Sequence, residues 1–326
     1  MIKDKNIDQN EFKQIIWICN NTTDEEVIKS NAEKVLQSNN PYYICDFFEN
    51  VEQSHTKNLT RKFEDKMAAI GDIVHTYEFM FLLVDMGIKE FDLKRFEALI
   101  RESGNPKLML YSLGFVDGID KEEMLKALYK TKNAKYIEIL STSEDYEDLN
   151  VCERPEYAEK LKIAKEYDYF PKSLEEFKIE DRKSGIKELI SQVMALETNT
   201  PELERKKAYL INELANYIEY LSEYHSQDYD VETLKQSISL LQRAETIVAA
   251  NEPLHLYEFA SSVNTDNKDE IIDEVVKNNH PKYLHYCLKY VSGISAESKK
   301  KLESTLSKSK NKKYNPNEDR IQGGNN

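Results

Sequence analysis

Two stretches of the chain, beginning at Pro106 and Pro253, align without a gap over about 35 residues. The opening half-motif of each returns 28 residues further on, at Ala134-Lys135-Tyr136-Ile137 and Pro281-Lys282-Tyr283-Leu284. A period of this length marks stacked supersecondary units, none of which can bury its apolar face alone. Only nine glycines and eight prolines punctuate 326 residues, too few turn-formers for a many-stranded β fold. The expected class is therefore all-α: an α-solenoid of helical hairpins.

The unit is legible at several places. Its first helix opens on a polar residue before proline, at Asn40-Pro41, Asn105-Pro106, Glu252-Pro253 and His280-Pro281. Proline suits the first helical position because its missing N–H needs no partner there, and a preceding Asn can cap the free amides. Apolar residues then recur three, six or seven, and ten positions on. They are Ile44, Phe47, Phe48 and Val51; Met109, Leu113 and Val116; Leu256, Phe259, Ala260 and Val263; and Leu284, Cys287, Leu288 and Val291. That spacing predicts one buried helical stripe. Polar links follow, at Asp117–Asp120, Asn264–Asn267 and Ser292–Ser295. Gly in such a link can take φ > 0, and the recurring Gly-Ile pairs at 87, 118 and 293 support the register. Second helices carry Met124, Leu125 and Leu128, or Ile271, Ile272 and Val275. A degenerate copy begins near Ile73 and continues through Leu93, Phe96, Leu99 and Ile100.

In design this resembles the HEAT-like and TPR-like α-solenoids. More closely, it resembles degenerate Pro-Lys-Tyr-Leu-x-Tyr-Phe/Cys helical repeats of uncharacterised bacterial and phage-borne proteins. The resemblance covers roughly residues 40–145 and 250–300. It implies a fold and an interaction role, and it transfers no active site.

Four segments are expected. Residues 1–148 hold hairpins behind two capping helices near 9–20 and 24–37. Residues 149–250 break the period with an inserted bundle of longer helices, near 173–197, 201–224 and 231–250. Residues 251–305 resume the hairpins, and 306–326 form a basic tail expected to be disordered.

The net charge of −14 is uneven: residues 298–326 carry +5 and the remainder −19. So acidic a body repels phosphates, making nucleic acid an unlikely partner for it. Cys19, Cys45, Cys152 and Cys287 have no paired spacing and read as reduced thiols, three of them on apolar faces. The most apolar stretch, Phe79–Val84, is too short to cross a bilayer. A cytoplasmic protein with no membrane association is the expectation.

No phosphate-binding glycine loop, HExxH, calcium loop or GxSxG is present. His255, His280, His285 and Cys287 form the one cluster of potential metal ligands, but their spacing favours capping and packing over convergence on an ion. Tyr42, Tyr43, Tyr136, Tyr217, Tyr220, Tyr224, Tyr283 and Tyr286 are candidates to line a recognition groove. Against that, Tyr136 and Tyr283 share a repeat position and are expected to pack between hairpins. Asp145/Glu147 and Glu175/Glu176 read as solvated faces. No catalytic residue, metal or cofactor is assigned. The expected function is a non-enzymatic adaptor or inhibitor that binds another protein. The alternatives are an acidic mobile-element protein that mimics nucleic acid to inhibit a host nuclease or defence complex, and an enzyme whose site lies in the 150–250 region.

Overall fold

A computed structural model describes residues 7–179, 185–262, 268–309 and 314. They are helical, with no strand among them. The chain forms two compact units, Met1–Lys172 and Ser173–Asn326. The sequence boundaries at 148/149 and 250/251 therefore fall inside these units.

The first unit comprises α1 (Gln9–Asn20), α2 (Glu25–Gln37), α3 (Pro41–Asn50), the single turn α4 (Gln53–Thr56), α5 (Thr60–Ile70), α6 (Ile73–Asp85), α7 (Leu93–Ser103), α8 (Pro106–Phe115), α9 (Lys121–Thr131), α10 (Ala134–Thr142) and α11 (Pro155–Glu166). First helices pack on first helices in succession, α1 on α3, α3 on α6, α6 on α8 and α8 on α10. Each also packs on its own second helix, as α6 does on α7 and α8 on α9.

A two-residue joint makes this succession possible. One residue in left-handed conformation ends a second helix, and the next residue begins the following first helix. The pairs are Asn39-Asn40, Gly71-Asp72, Gly104-Asn105 and Lys132-Asn133 in the first unit, with Asn251-Glu252 and Asn279-His280 in the second. At Ser38, Ser103 and Thr131 a hydroxyl donates to the carbonyl three residues back and accepts from the N–H of the capping Asn. That Asn in turn accepts from the first-turn amides, as Asn105 does from Lys107 and Leu108 at 3.0 and 3.2 Å. The orphan groups at both helix ends are thus satisfied within a few residues.

The valines ten residues after the proline behave differently from the expected helical stripe. Val51, Val116 and Val291 are buried but lie just past the helix in extended conformation. Each donates its N–H to the carbonyl four residues back. A β-branched side chain suits that backbone better than it suits a helix interior. Val263, the fourth member of the set, lies outside the described residues. The Gly-Ile pairs match the expectation: Gly87, Gly118 and Gly293 have positive φ, and Ile88, Ile119 and Ile294 are buried behind them.

Second helices carry charge on their outer faces, and ion pairs join successive ones. Glu33 on α2 meets Lys62 on α5 at 2.5 Å, Asp65 on α5 meets Arg95 on α7 at 2.6 Å, and Glu123 on α9 lies 3.7 Å from Arg101 on α7. Exposed pairs like these contribute little stability each. They do set opposite charges side by side along these second helices.

The second unit comprises α12 (Ile186–Met194), α13 (Pro201–Tyr224), α14 (Val231–Gln242), α15 (Glu245–Ala250), α16 (Pro253–Ser262), α17 (Lys268–Asn278), α18 (Pro281–Tyr290) and α19 (Ala296–Leu306). Of the three longer helices expected, only 201–224 is long. A 3-10 turn at Lys172–Leu174 and the nine-residue α12 occupy 173–197, and the span 231–250 is broken after Gln242. The long α13 packs against α12, α14, α15 and also α16, so bundle and hairpins share one core. α16 and α17, then α18 and α19, form the hairpins. The basic tail lies outside the described residues apart from Leu306–Ser309 and Tyr314.

One buried charge in this unit has a measurable consequence. Lys268, the first residue of α17, is buried, and its ammonium donates to the Ser292 carbonyl at 2.9 Å. Burial pushes its pKa below the ordinary 10.5, with Glu219 acting weakly the other way. Between the folded and unfolded pKa values the unfolded chain binds more protons, so stability rises with pH across that window. Lys268→Met is expected to stabilise the chain at neutral pH and to flatten the alkaline rise. Urea melts at a series of pH values check both; an unchanged slope would show that Lys268 remains solvated.

Candidate interaction surface

The two units carry the same side-chain constellation on their first helices. On α6 the sequence His75-Thr76-Tyr77-Glu78-Phe79 follows the capping Asp72. On α16 His255-Leu256-Tyr257-Glu258-Phe259 follows Glu252 at the matching offset. The next first helices, α8 and α18, match in turn: Lys107 and Lys282 stand two residues after the cap position, Tyr111 and Tyr286 six after, and Phe115 and Tyr290 ten after. Steps of four put these three on one helix face.

The structure brings the matching residues into the same contacts. Tyr77 of α6 meets Tyr111 of α8 with ring centroids 6.1 Å apart, and Tyr257 of α16 meets Tyr286 of α18 at 5.6 Å. Along the helices, Tyr111 meets Phe115 at 6.1 Å and Tyr286 meets Tyr290 at 5.7 Å. Lysines lie over the rings: Lys107 at 5.6 Å from Tyr111, Lys282 at 5.9 Å from Tyr286, and Lys289 at 5.1 Å from Tyr290. Cations over aromatic faces gain from the ring quadrupole. The outer members, Phe115 and Tyr290, are 43% and 53% exposed, an unusual position for large rings.

The His-bearing first turns also correspond. The His75 Nδ1 lies 3.0 Å from the Asp72 carboxylate, whose oxygen also accepts the His75 N–H. His255 Nε2 lies 3.8 Å from Glu252, and Arg205 of α13 lies 3.7 Å from the other oxygen of that carboxylate. Both histidines are buried.

The four residues of the His/Cys cluster have separate neighbours. His255 lies beside Glu252, His280 lies tilted against Tyr283 at 5.0 Å, and His285 faces Tyr286. Burial pushes the Cys287 thiol up to about 12, opposite to the thiolate a metal needs. The tyrosine candidates divide. Tyr217 and Tyr220 are core residues of α13, and Tyr220 hydrogen-bonds His225 at 3.2 Å while stacking on Tyr224. Tyr283 packs between hairpins against Tyr257, at 6.2 Å, as its repeat position implied. Its counterpart Tyr136 is half-buried. Tyr43 stacks on Phe12 of α1 at 4.3 Å and meets Tyr42 at 5.7 Å. Of the named set, Tyr286 belongs to the constellation. Tyr77, Tyr111, Phe115, Tyr257 and Tyr290 join it without having been singled out. The repeated His-x-Tyr-Glu-Phe string is the sequence signal that identifies them.

Among the described residues no helix is long and apolar enough to cross a membrane. No protein-family model, curated protein or solved structure matches the chain.

Proposed function

We propose that the chain is a non-enzymatic helical-repeat adaptor or inhibitor, of the α-solenoid type, that holds another protein on the aromatic faces of its first helices. One observation carries the reading. The same lysine–tyrosine–aromatic stripe, fed by the same His-x-Tyr-Glu-Phe turn, occurs in both units, and each stripe ends on an exposed ring. Packing accounts for repetition of core positions, but it gives no reason to repeat an exposed ring at the same offset. Exposed aromatics with lysine beside them are the material of binding hot spots, because a ring buries much area at low entropic cost.

Nucleic-acid mimicry, the alternative, needs a row of carboxylates on one face, and the reading is favoured over it because α2, α5, α7 and α9 set Glu33, Asp65 and Glu123 beside Lys62, Arg95 and Arg101. The four cysteines are free thiols, in keeping with action in a reducing compartment such as the cytoplasm.

Affinity capture from a native lysate tests the proposal with the wild-type chain, Phe115→Ser, Tyr290→Ser and the double variant. The expected result is a partner retained by wild type and lost from the double variant, with the melting temperature unchanged. Equal retention by all four chains would overturn the role of the stripes, and no retained protein at all would overturn adaptor function.

A further inference from the structure

The stripe of the second unit already has an occupant. Tyr314, eight residues beyond the end of α19, is buried, and its ring lies 5.8 Å from His285 and 6.5 Å from Tyr286, edge-on to the latter. It belongs to a lysine-rich segment, Lys308-Ser309-Lys310-Asn311-Lys312-Lys313-Tyr314. Nothing in the repeat calls for an aromatic residue here, since the hairpin α18–α19 is complete at Leu306.

We infer that Tyr314 is a self-ligand: the α18 face at His285 and Tyr286 is a site for an aromatic side chain that follows a run of lysines, and the chain's own Tyr314 fills it until a partner segment of the same chemistry displaces it. The inference rests on the reading of the stripes as binding surfaces and supplies the class of partner. A partner stripped to its recognition element is then a short, basic segment presenting one tyrosine or phenylalanine.

The physical case is one of tethering. A single ring contact is weak in isolation, but being carried on the same chain, eight residues beyond α19, holds it at an effective concentration of order mM. A contact with a dissociation constant of about 0.1 mM would then be occupied about nine-tenths of the time. A competitor sees its affinity reduced by the unoccupied fraction, about tenfold. The exposed Tyr290 at the rim offers a competitor additional area that the self-ligand leaves open.

The test uses the full chain and a fluorescent peptide spanning residues 308–320, read by anisotropy. Tyr314→Ala protein is expected to bind this peptide about tenfold more tightly than wild type does. Tyr314→Phe, which keeps the ring, should behave as wild type. A peptide with alanine in place of its tyrosine should bind neither protein. Equal affinity of wild type and Tyr314→Ala, or equal binding of the alanine peptide, would overturn the inference; the latter would reduce the contact to charge alone. A second arm leaves residue 314 intact. His285→Ala, which removes the ring 5.8 Å from Tyr314, should speed tryptic cleavage at Lys312 and Lys313 by several-fold, because cleavage tracks the open population. An unchanged rate there also counts against self-occupancy. If both arms fail while the Phe115→Ser/Tyr290→Ser chain still loses its partner, only the self-ligand falls and the binding role of the stripes stands.

Discussion

Phe48→Ala is expected to cost about 3–5 kcal/mol, the range for deleting a fully buried aromatic ring from a packed core. Phe48 on α3 has no exposed surface and sits edge-on to Phe63 of α5 at 4.9 Å and to Phe79 of α6 at 5.1 Å, with Phe47 beside it at 6.4 Å. Phe79 continues the cluster to Phe96 of α7 at 6.0 Å. One ring thus touches both helices of its own hairpin and the first helix of the next. Its removal empties a volume walled by other rigid rings, which collapse poorly into a cavity. A domain stabilised by roughly 5–15 kcal/mol would lose a large share of that margin. Phe115→Ala, on the exposed stripe, is expected to stay within about 0.5 kcal/mol. Urea unfolding followed by far-UV circular dichroism is the measurement. The single tryptophan, Trp17, is 66% exposed and would report the transition poorly. A loss below about 1 kcal/mol at Phe48 would mean that the rings do not form the shared core between hairpins.

The contrast between those two phenylalanines shows what the sequence did and did not disclose. Helix starts were legible because an Asn before Pro does two local jobs, capping free amides and presetting φ, and neither job depends on distant contacts. Gly118 and Gly293 were legible for a similar reason: a left-handed residue between short helices is met most easily by glycine. Lys132, Asn39, Asn251 and Asn279 take the same conformation with side chains. That joint was therefore hidden wherever glycine was absent, although Asn tolerates the left-handed region better than most residues. The break between α14 and α15 follows Gln242 in a run, Leu241-Gln242-Arg243-Ala244-Glu245, with no Gly or Pro to announce it. Buried valines at the helix ends looked helical because spacing reports which side is buried and says little about backbone at the boundary. The binding stripe was hidden for another reason. Alignment on proline pairs Pro106 with Pro253, whereas the contacts pair α6 with α16 and α8 with α18, and α6 opens on Ile73 without proline. Periodicity reads the inside of a repeat, and exposed residues such as Phe115 and Tyr290 fall outside what it weighs.

Gly114→Val is expected to destabilise the chain by about 3 kcal/mol, the upper part of the range for overpacking a well-filled site. Gly114 lies near the end of α8, where replacing glycine with a good helix former in open surroundings would gain up to about 1 kcal/mol. Its surroundings are closed. A Cβ placed there would stand 2.7 Å from the Cε1 of Tyr146 and 3.3 Å from its Cζ. The Tyr146 ring is itself buried, 3% exposed, in the turn after α10, where the Ser143 hydroxyl accepts the Asp145 N–H. The ring has no solvent side into which to retreat, so the clash falls on the packing of α8 against α10. Alanine at 114 should already cost stability despite its helix propensity, and valine more, since its γ-methyls extend the overlap. The pair provides an internal check: Tyr146→Leu removes the obstructing ring, and in that background Gly114→Ala should lose most of its cost. The expected coupling is about 1–3 kcal/mol, within the range found for residues in direct contact. Additive single and double variants would show that the backbone of α8, rather than Tyr146, sets the requirement for glycine. Because Phe115 is the next residue on α8, the same four chains separate fold from function. If the stripe binds a partner as a surface, retention should recover in the double variant along with stability.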